Sequence, residues 1–451
     1  MTFKEKYIGP MSFYRKSFSI AIPLALQMLL GSCMSIVDTM MVASINMVSA
    51  VGNAMQVLVL YEAVGWGIIA GISMFASQFY GANNEKNLKR VFGLSLLLTL
   101  SIASIWIIVA SIFGDKILYF YLPDNNVLPY SLDYLKVAIF SIIPVALNNS
   151  FNSLYRSIHK ANIGLRVSIV GAISNVVLNA LFIYYFNLGV VGAALGTLLA
   201  QLIVTSIYII YTLKTKQVFV GNIEEMFHLS SDFIRPIVRK MFPLILNETL
   251  FGFGLTLFIK AFGTLGTTSM EAYYIANQIY NMFLFVVNGL GGSVSIIVGT
   301  RLGQGLLEQA KQESNYQLFL GFILATFLIC LMLILSDPLL TLFSISDNNI
   351  YKLAKGCVYA LSFKVFFRVF NFMMFSTLRA GGDSKILSLL DAGLMYTIGI
   401  SLAFFSVNIL DINNIIMVLF IVQIEQFIRM ILTYKRYKSY KWVNDLTLLI
   451  K

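Results

Sequence analysis

Residues 32–44 read SCMSIVDTMMVAS and overlap a longer run, 17–43, that is apolar or neutral apart from Asp38. A run of this length can cross the roughly 30 Å hydrocarbon core of a bilayer as a single helix. A carboxylate near the middle of such a helix costs about 2.5–3.5 kcal/mol on insertion scales. The stretch therefore predicts a membrane-spanning helix whose buried acid needs either a polar partner or an aqueous path.

The rest of the chain repeats this apolar pattern. Of the 451 residues, 58% are hydrophobic and only 12% are charged, and the mean hydropathy is +0.81. A soluble protein carries about twice that charged fraction, and the short alternating strands of a membrane β-barrel do not appear. The sequence predicts an all-α polytopic membrane protein with twelve spans, at approximately 17–43, 50–79, 90–113, 131–155, 162–186, 187–213, 241–263, 269–300, 314–336, 353–378, 385–408 and 412–434.

The basic residues are distributed unevenly between the predicted loops. With the N-terminus inside, 25 of the 32 Lys and Arg residues fall in cytoplasmic segments, six of them at the C-terminal end, and four fall on the outer side. This bias predicts a plasma-membrane protein with both termini in the cytoplasm. The tail that contains YKRYKSYKW (434–442) is expected to contact anionic lipids. The net charge of +11 thus needs no nucleic-acid partner.

The residues that usually carry enzyme chemistry are sparse. Cys33, Cys330 and Cys357 are scattered in or near spans and suit apolar packing, while His159 and His228 fall in predicted loops. No nucleophile–base pair or metal-ligand cluster is apparent. We therefore expect neither an enzyme nor a bound cofactor, and we expect a monomer.

The two halves of the chain resemble each other. A shift of 222 residues aligns AVGNAMQ (50–56) with AYYIANQ (272–278), and a shift of 223 pairs Asn148 with Asn371 and Arg156 with Arg379. Six spans in each half make the repeats parallel, which is typical of transporters with two lobes around a cavity. The predicted organisation is an N-lobe (1–213), a cytoplasmic loop (214–240), a C-lobe (241–434) and a basic tail (435–451).

Four polar residues of the first half are predicted to share one layer near the outer face. Asp38 lies about five residues from the outer end of span 1, Asn175 and Asn179 lie on one face of span 5, and Thr197 lies in span 6. One carboxylate, two amides and a hydroxyl suit either a proton on Asp38 or a sodium ion. The alternative is a hydrogen-bond network that only joins three helices.

The second half holds its own intramembrane charges. Glu248 is placed to pair with Arg368 or Lys364, or else to titrate, or to anchor a cationic substrate. Lys260 is near an outer helix end and is expected to extend toward water. Asp391 is expected to contact the adjacent RAGGDSK loop. Further candidates for lining a cavity are Glu62, Glu425, Gln56, Gln278, Asn148 and Asn371.

Several segments together resemble the multidrug and toxic compound extrusion (MATE) family: VDTMMVAS in span 1, SNVVLNALFIYYFNLGVVGAALGT across spans 5 and 6, LILNETLF in span 7 and LRAGGDSK after span 10. The resemblance covers nearly the whole chain. It implies twelve helices in two six-helix lobes with a V-shaped central cavity. It also implies export of cationic or amphipathic compounds in exchange for protons or sodium ions.

The same resemblance places the coupling aspartate of the family on Asp38 and its cation-site partners on Asn175, Asn179 and Thr197. Some members have an acid at the position of Asn179, and some have an acid in span 10 where this chain has Lys364 and Arg368. The coupling ion therefore stays open between proton and sodium, with a lean toward the proton.

Two other functions are compatible with the sequence. A flippase for a lipid-linked sugar or cell-wall precursor would use a cationic cavity for pyrophosphate, and Lys260, Lys364 and Arg368 supply such charges. A membrane protein with a purely structural or receptor role would show no ion-dependent flux.

Overall fold

The computed structural model describes residues 3–122, 125–343, 345 and 347–450. Within these residues, twelve helices are long and apolar enough to cross a membrane, which confirms the predicted all-α, twelve-span fold class. They are α1 Met11–Ala43, α2 Val48–Gly81, α3 Glu85–Tyr121, α4 Leu128–Ser157, α5 Ala161–Tyr185, α6 Gly189–Lys214, α7 Ser231–Gly263, α8 Thr267–Gly303, α9 Leu307–Ile334, α10 Asn348–Ala380, α11 Ser384–Asn408 and α12 Ile415–Lys438.

Side-chain caps fix where three of these helices begin. Asn84 accepts a hydrogen bond from the backbone N–H of Asn87 at the start of α3. Asp347 does the same for Asn349 at α10, and Asn414 accepts from two backbone N–H groups at α12. Each cap satisfies donors that the first turn of a helix leaves without an intrahelical partner.

Irregular turns interrupt two helices beside polar residues. Helix α5 ends in a π-helical turn, Leu181–Tyr185, which begins two residues after Asn179. Helix α11 contains two such turns, Leu389–Gly393 and Met395–Ile400, and Asp391 lies in the first. A π-turn holds an extra residue and rotates the following side chains, and such turns occur frequently at functional sites.

The chain divides into two compact units, and the boundary crosses two helices. One unit comprises Met1–Ala25 and Leu246–Leu448, and the other comprises Leu26–Ile245 and Leu449–Lys451. Helices α1 and α7 therefore each begin in one unit and continue in the other. We refer to Leu26–Ile245 as the first unit and to Leu246–Leu448 with its N-terminal segment as the second unit.

Each unit has its own apolar interior. In the first unit, Val57, Ala103 and Ile142 are buried within a cluster contributed mainly by α2, α3 and α4. In the second unit, buried side chains of α8 and α10 such as Val294 and Met373 form the interior. The polar side chains of both units are therefore surrounded by apolar residues. In such surroundings a polar atom without a hydrogen-bond partner is costly.

The basic tail folds back onto the second unit. Trp442 is fully buried, and its indole N–H donates to the backbone oxygen of Tyr437 at 2.9 Å. Arg436 donates two hydrogen bonds to the carboxylate of Asp383, in the RAGGDSK loop. Lys435 and Lys441 remain exposed. Within residues 435–450, only part of the positive charge is therefore available to a lipid surface.

Candidate functional site

The four polar residues of the first half form one connected group, which we call the Asp38 cluster. The Nδ2 of Asn179 donates to Asp38 Oδ1 at 2.8 Å and lies 3.2 Å from Asn175 Oδ1. Asn175 Nδ2 in turn donates to the hydroxyl of Thr197 at 3.3 Å. The cluster thus joins α1, α5 and α6, the three helices expected from residue depth.

The carboxylate of Asp38 is half-buried, and its charge is not compensated by a basic side chain. Within the described part of the chain, Asp38 forms no ion pair, and its hydrogen-bonding side-chain partner is the neutral amide of Asn179. A partly buried carboxylate without a counter-ion is stabilised in its protonated form, or by a cation that binds next to it.

The position of the Asn179 amide depends on a glycine. The Oδ1 of Asn179 is buried and has no hydrogen-bond partner among the described residues. It lies against Gly196 of α6, where a β-carbon would overlap Oδ1 and crowd the Asn179 backbone N. Gly196 therefore provides the space in which Asn179 can direct its N–H groups toward Asp38 and Asn175.

Among the described residues, few polar contacts hold the C-terminal part of α1 in place. Besides the Asp38–Asn179 hydrogen bond, the hydroxyl of Ser44 lies 3.0 Å from that of Tyr184 on α5. Near the other end of this segment, Gln27 bonds to Asn152 and to the backbone oxygen of Ala161. A change in the protonation of Asp38 would therefore alter one of the few polar links between α1 and α5.

A cavity of about 180 Å³ lies in the first unit beside these helices. We call it the amide cavity because its polar lining consists largely of Asn and Gln side chains. Asn148 donates to Gln201 Oε1 at 2.8 Å and accepts from Thr205. Among the described lining residues there is no Asp, Glu, Lys or Arg. The cavity can therefore exchange hydrogen bonds with a ligand but offers it no charge.

The second unit contains a buried polar chain that crosses four helices, which we call the Arg429 network. Arg429 donates to Asp391 at 2.6 Å and to Glu425 at 2.7 Å, and both Arg429 and Glu425 are about 1% exposed. Gln426 donates to Glu425, and Asn247 donates to Asp391. The network ends at Asn371, which donates to the backbone oxygen of Gln426.

The Arg429 network corrects two sequence-based expectations, for Asp391 and for Arg429. Asp391 contacts Arg429 and Asn247 rather than the RAGGDSK loop, whose Asp383 pairs with Arg436. Arg429 was one of the six C-terminal basic residues counted as cytoplasmic, but it is buried in α12. Glu425 lines a cavity and is paired at the same time. The spacing of Glu425 and Arg429, four residues apart on one helix, was a readable signal for their pairing.

Glu248 pairs with a different base from those expected. It lies 3.4 Å from Arg379 in the last turn of α10, and it forms no ion pair with Arg368 or Lys364. The guanidinium of Arg368 instead lies over the rings of Phe251 and Phe372, at 5.6 and 5.5 Å from their centres. The side chain of Arg379 reaches the depth of Glu248, while Arg368 lies about three turns further along α10.

A second cavity, of about 260 Å³, lies among α7, α8, α10, α11 and α12 of the second unit. We call it the cationic cavity because Lys364 and Arg368 form part of its wall. The ammonium of Lys364 lies 5.4 Å from the ring centre of Tyr280, and aromatic side chains make up much of the remaining lining.

The remaining candidates lie outside these groups. Glu62, Gln56 and Gln278 are exposed, and none of them is among the lining residues of the two cavities. Lys260 is also exposed. Asn148 and Asn371, in contrast, occupy equivalent positions in the repeat and bind Gln201 and Gln426 respectively. These two glutamines were not singled out from the sequence, although they recur at almost the same spacing.

The two halves of the chain also match one family model twice. The model, described as MatE, aligns with residues 23–181 and again with residues 243–405. The chain belongs to the MatE family. The two matched ranges correspond to the internal repeat, so each half of this MatE protein is one copy of the family unit.

Relatives and solved structures agree with the MatE assignment. The probable multidrug resistance protein YoeA of Bacillus subtilis is 24% identical over 75% of this chain and 75% of its own length. The uncharacterized transporter YisQ of the same organism is 23% identical over 95% and 94%. A structure of a multidrug resistance MATE family transporter in an outward-facing conformation has a TM-score of 0.85 and 18% identity, and covers 94% of this chain and 96% of that one. This last likeness supports the fold.

Proposed function

We propose that this MatE protein is a secondary antiporter that exports cationic or amphipathic drugs in exchange for an ion bound at Asp38. The observation that carries the proposal is a half-buried carboxylate held by one neutral amide and by no basic side chain within the described residues. An intramembrane carboxylate without a counter-ion is a functional site by default. The multidrug resistance named for YoeA supports the substrate class.

The donor arrangement favours a proton as the coupling ion. Asn179 directs Nδ2 toward Asp38 while its Oδ1 lies against Gly196, so the amide offers Asp38 a donor and offers a cation no oxygen. A sodium ion needs hard oxygen ligands. For Asn179 to supply one, its amide would have to rotate by half a turn and give up both hydrogen bonds that Nδ2 makes. A proton requires no such rearrangement.

Binding of a proton to Asp38 can change the conformation, because Asp38 on α1 is hydrogen-bonded to Asn179 on α5. The anionic Asp38 accepts a charge-assisted hydrogen bond from Asn179, and protonation weakens this bond. The protonated state then favours a different position of the outer part of α1, and the drug favours the opposite state. The two ligands need only a coupling free energy of about 1–3 kcal/mol between their sites for exchange to occur.

Flux measurements in proteoliposomes test this proposal. We expect wild-type protein to move ethidium when a proton gradient is imposed, and Asp38→Asn to lose at least about tenfold in the initial rate because the side chain no longer titrates. Flux driven by a sodium gradient alone would replace the proton by sodium in the proposal. Undiminished proton-driven flux in the Asp38→Asn protein would exclude Asp38 as the coupling residue.

Asp133→Asn is the matched control. Asp133 belongs to the same unit and lies in α4, but it is exposed and pairs with Lys136 three residues later. We expect this variant to retain the wild-type rate. Both variants are reconstituted at equal protein density, and equal thermal unfolding temperatures exclude a folding defect.

Export of drugs is favoured over flipping of a lipid-linked precursor. Of the three cations that suggested a pyrophosphate site, Lys260 is exposed and outside the cavity lining. The cationic cavity holds about 260 Å³, which is near the lower end of small-molecule sites at about 300 Å³. The multidrug resistance named for YoeA also favours drugs over a lipid-linked precursor.

The remaining features of the proposal follow from charge and topology. We place the protein in the plasma membrane as a monomer, with both termini in the cytoplasm and the N-lobe, C-lobe and tail as assigned from the sequence. In the described part of the tail, Lys435 and Lys441 are exposed basic residues that would contact anionic lipids. We propose no enzymatic activity, no cofactor and no nucleic-acid partner.

A further inference from the structure

Lys364 and Arg368 lie one helical turn apart on α10, and both are half-buried in the wall of the cationic cavity. Within the described part of the chain, neither side chain forms an ion pair with a carboxylate. Each makes cation–π contacts with described aromatic rings, Lys364 with Tyr280 and Arg368 with Phe251 and Phe372. Such cation–π contacts stabilise a charge less than a carboxylate does.

The neighbouring carboxylates are committed to other bases. Glu425 and Asp391 share Arg429, and Glu248 binds Arg379. These three acids and two arginines carry one net negative charge, and Lys364 and Arg368 add two positive charges. The group as a whole therefore carries one net positive charge, and the cavity wall holds the two cations that lack an acidic partner.

Apart from Glu425 and Arg429, which pair with each other, the rest of the lining suits a flat apolar body. Phe258 and Phe262 on α7 and Tyr273 and Tyr280 on α8 line the cavity, so aromatic faces surround its interior. The amides of Asn277, Asn281 and Gln423 add neutral hydrogen-bonding groups. A volume of about 260 Å³ accommodates a ligand of one or two fused rings.

We propose that the cationic cavity is a binding site for small aromatic carboxylates, whose carboxylate lies between Lys364 and Arg368 and whose ring packs against Tyr273 and Tyr280. One helical turn separates the side chains of Lys364 and Arg368 by about 5–6 Å. A ligand carboxylate that lies between them is therefore within reach of both. Charge-assisted hydrogen bonds are about twice as strong as neutral ones. The site thus takes the opposite charge from the drug class proposed for export.

The inference concerns equilibrium binding, and it does not depend on ion-driven export. Three probes of nearly the same shape test it: 2-naphthoate, the neutral 2-naphthamide and the cationic 2-naphthamidine. Each is titrated into the purified full-length protein in detergent by equilibrium dialysis at neutral pH. We expect 2-naphthoate to bind at least about tenfold more tightly than either of the other two.

Lys364→Gln and Arg368→Gln assign this preference to the cavity. Each substitution removes one charge-assisted hydrogen bond, so each should weaken the binding of 2-naphthoate by about tenfold and leave the binding of 2-naphthamide within about twofold. The matched control is Lys260→Gln, which removes the same kind of charge from an exposed position in the same unit. We expect this control to bind 2-naphthoate like wild type.

Arg368→Lys keeps the site testable if the neutral variants do not fold, because it retains the charge but loses the planar fork of the guanidinium. It should bind 2-naphthoate more weakly than wild type and still prefer it to the amide. Equal affinity for all three probes would overturn the proposal. So would an equal loss of 2-naphthoate binding in Lys260→Gln and Lys364→Gln, because it would reflect overall charge rather than the cavity.

Discussion

The two repeats contain the same Asn–Gln pair in two different chemical surroundings. In the first unit, Asn148 and Gln201 line a neutral amide cavity and bond to Thr205. In the second unit, Asn371 and Gln426 join a network that contains two acids and an arginine. The pair itself is thus a scaffold that joins the fourth and sixth helix of each repeat, and the charges beside it determine what each unit can bind.

The acids of the two units differ in the same way. Asp38 has a neutral amide as its partner, so its charge can change without leaving another buried charge unpaired. Asp391 and Glu425 share a fully buried arginine, so loss of the arginine charge leaves two buried carboxylates without a counter-charge. The first arrangement suits a group that titrates during a transport cycle, and the second suits a fixed structural element.

The largest expected effect comes from removing the arginine of the second unit. Arg429→Met leaves two carboxylates in a buried site, and breaking a buried ion pair from one side costs about 3–5 kcal/mol. The thermal unfolding temperature of the detergent-solubilised protein should fall well below that of Asp38→Asn, which leaves no buried charge unpaired.

A triple variant sharpens this first prediction. Combining Arg429→Met with Asp391→Asn and Glu425→Gln removes all three charges, so the unfolding temperature should recover part of the loss. If Arg429→Met and Asp38→Asn unfolded at the same temperature, Asp391 and Glu425 would not differ from Asp38 as fixed acids differ from a titrating one.

A smaller effect is expected at Gly196. In Gly196→Ala the new methyl group overlaps Asn179 Oδ1, and such overpacking costs about 1–3 kcal/mol. The displaced amide should also slow proton-driven ethidium flux. Gly65→Ala on α2 is the control, because its β-carbon meets no atom within 4 Å. Comparing flux and unfolding temperature in the two variants isolates the effect at the Asp38 cluster.

The smallest expected effect is a difference in stability between variants of the two repeated asparagines, Asn148 and Asn371. Asn148→Ala removes donors to Gln201 and an acceptor for Thr205, while the Oδ1 of Asn371 has no partner among the described residues. One additional hydrogen bond is worth about 1 kcal/mol, so Asn148→Ala should be more destabilising than Asn371→Ala by about that amount. Equal losses of unfolding temperature would indicate that the pairs stabilise both repeats alike.

The sequence predicted the spans and the Asp38 cluster because both depend on position along a helix. Apolar length defines the spans, and counting 1.5 Å per residue from their ends brings Asp38, Asn179 and Thr197 to one depth. The contacts in the second unit also depend on rotation about the helix axis. The π-turn at Leu389–Gly393 changes that rotation at Asp391, so spacing alone could not identify Arg429 as its partner.

The buried tryptophan of the tail has a consequence for experiments. Trp442 is fully enclosed and lies 6.0 Å from the ring centre of Tyr437, whereas Trp66 on α2 is 48% exposed. A quencher carried on a lipid acyl chain should therefore reach Trp66 and spare Trp442. In a Trp106→Phe background, the two remaining fluorophores report separately on the exposed surface of α2 and on the attachment of the C-terminal segment, which provides an optical measure of folding that needs no added label.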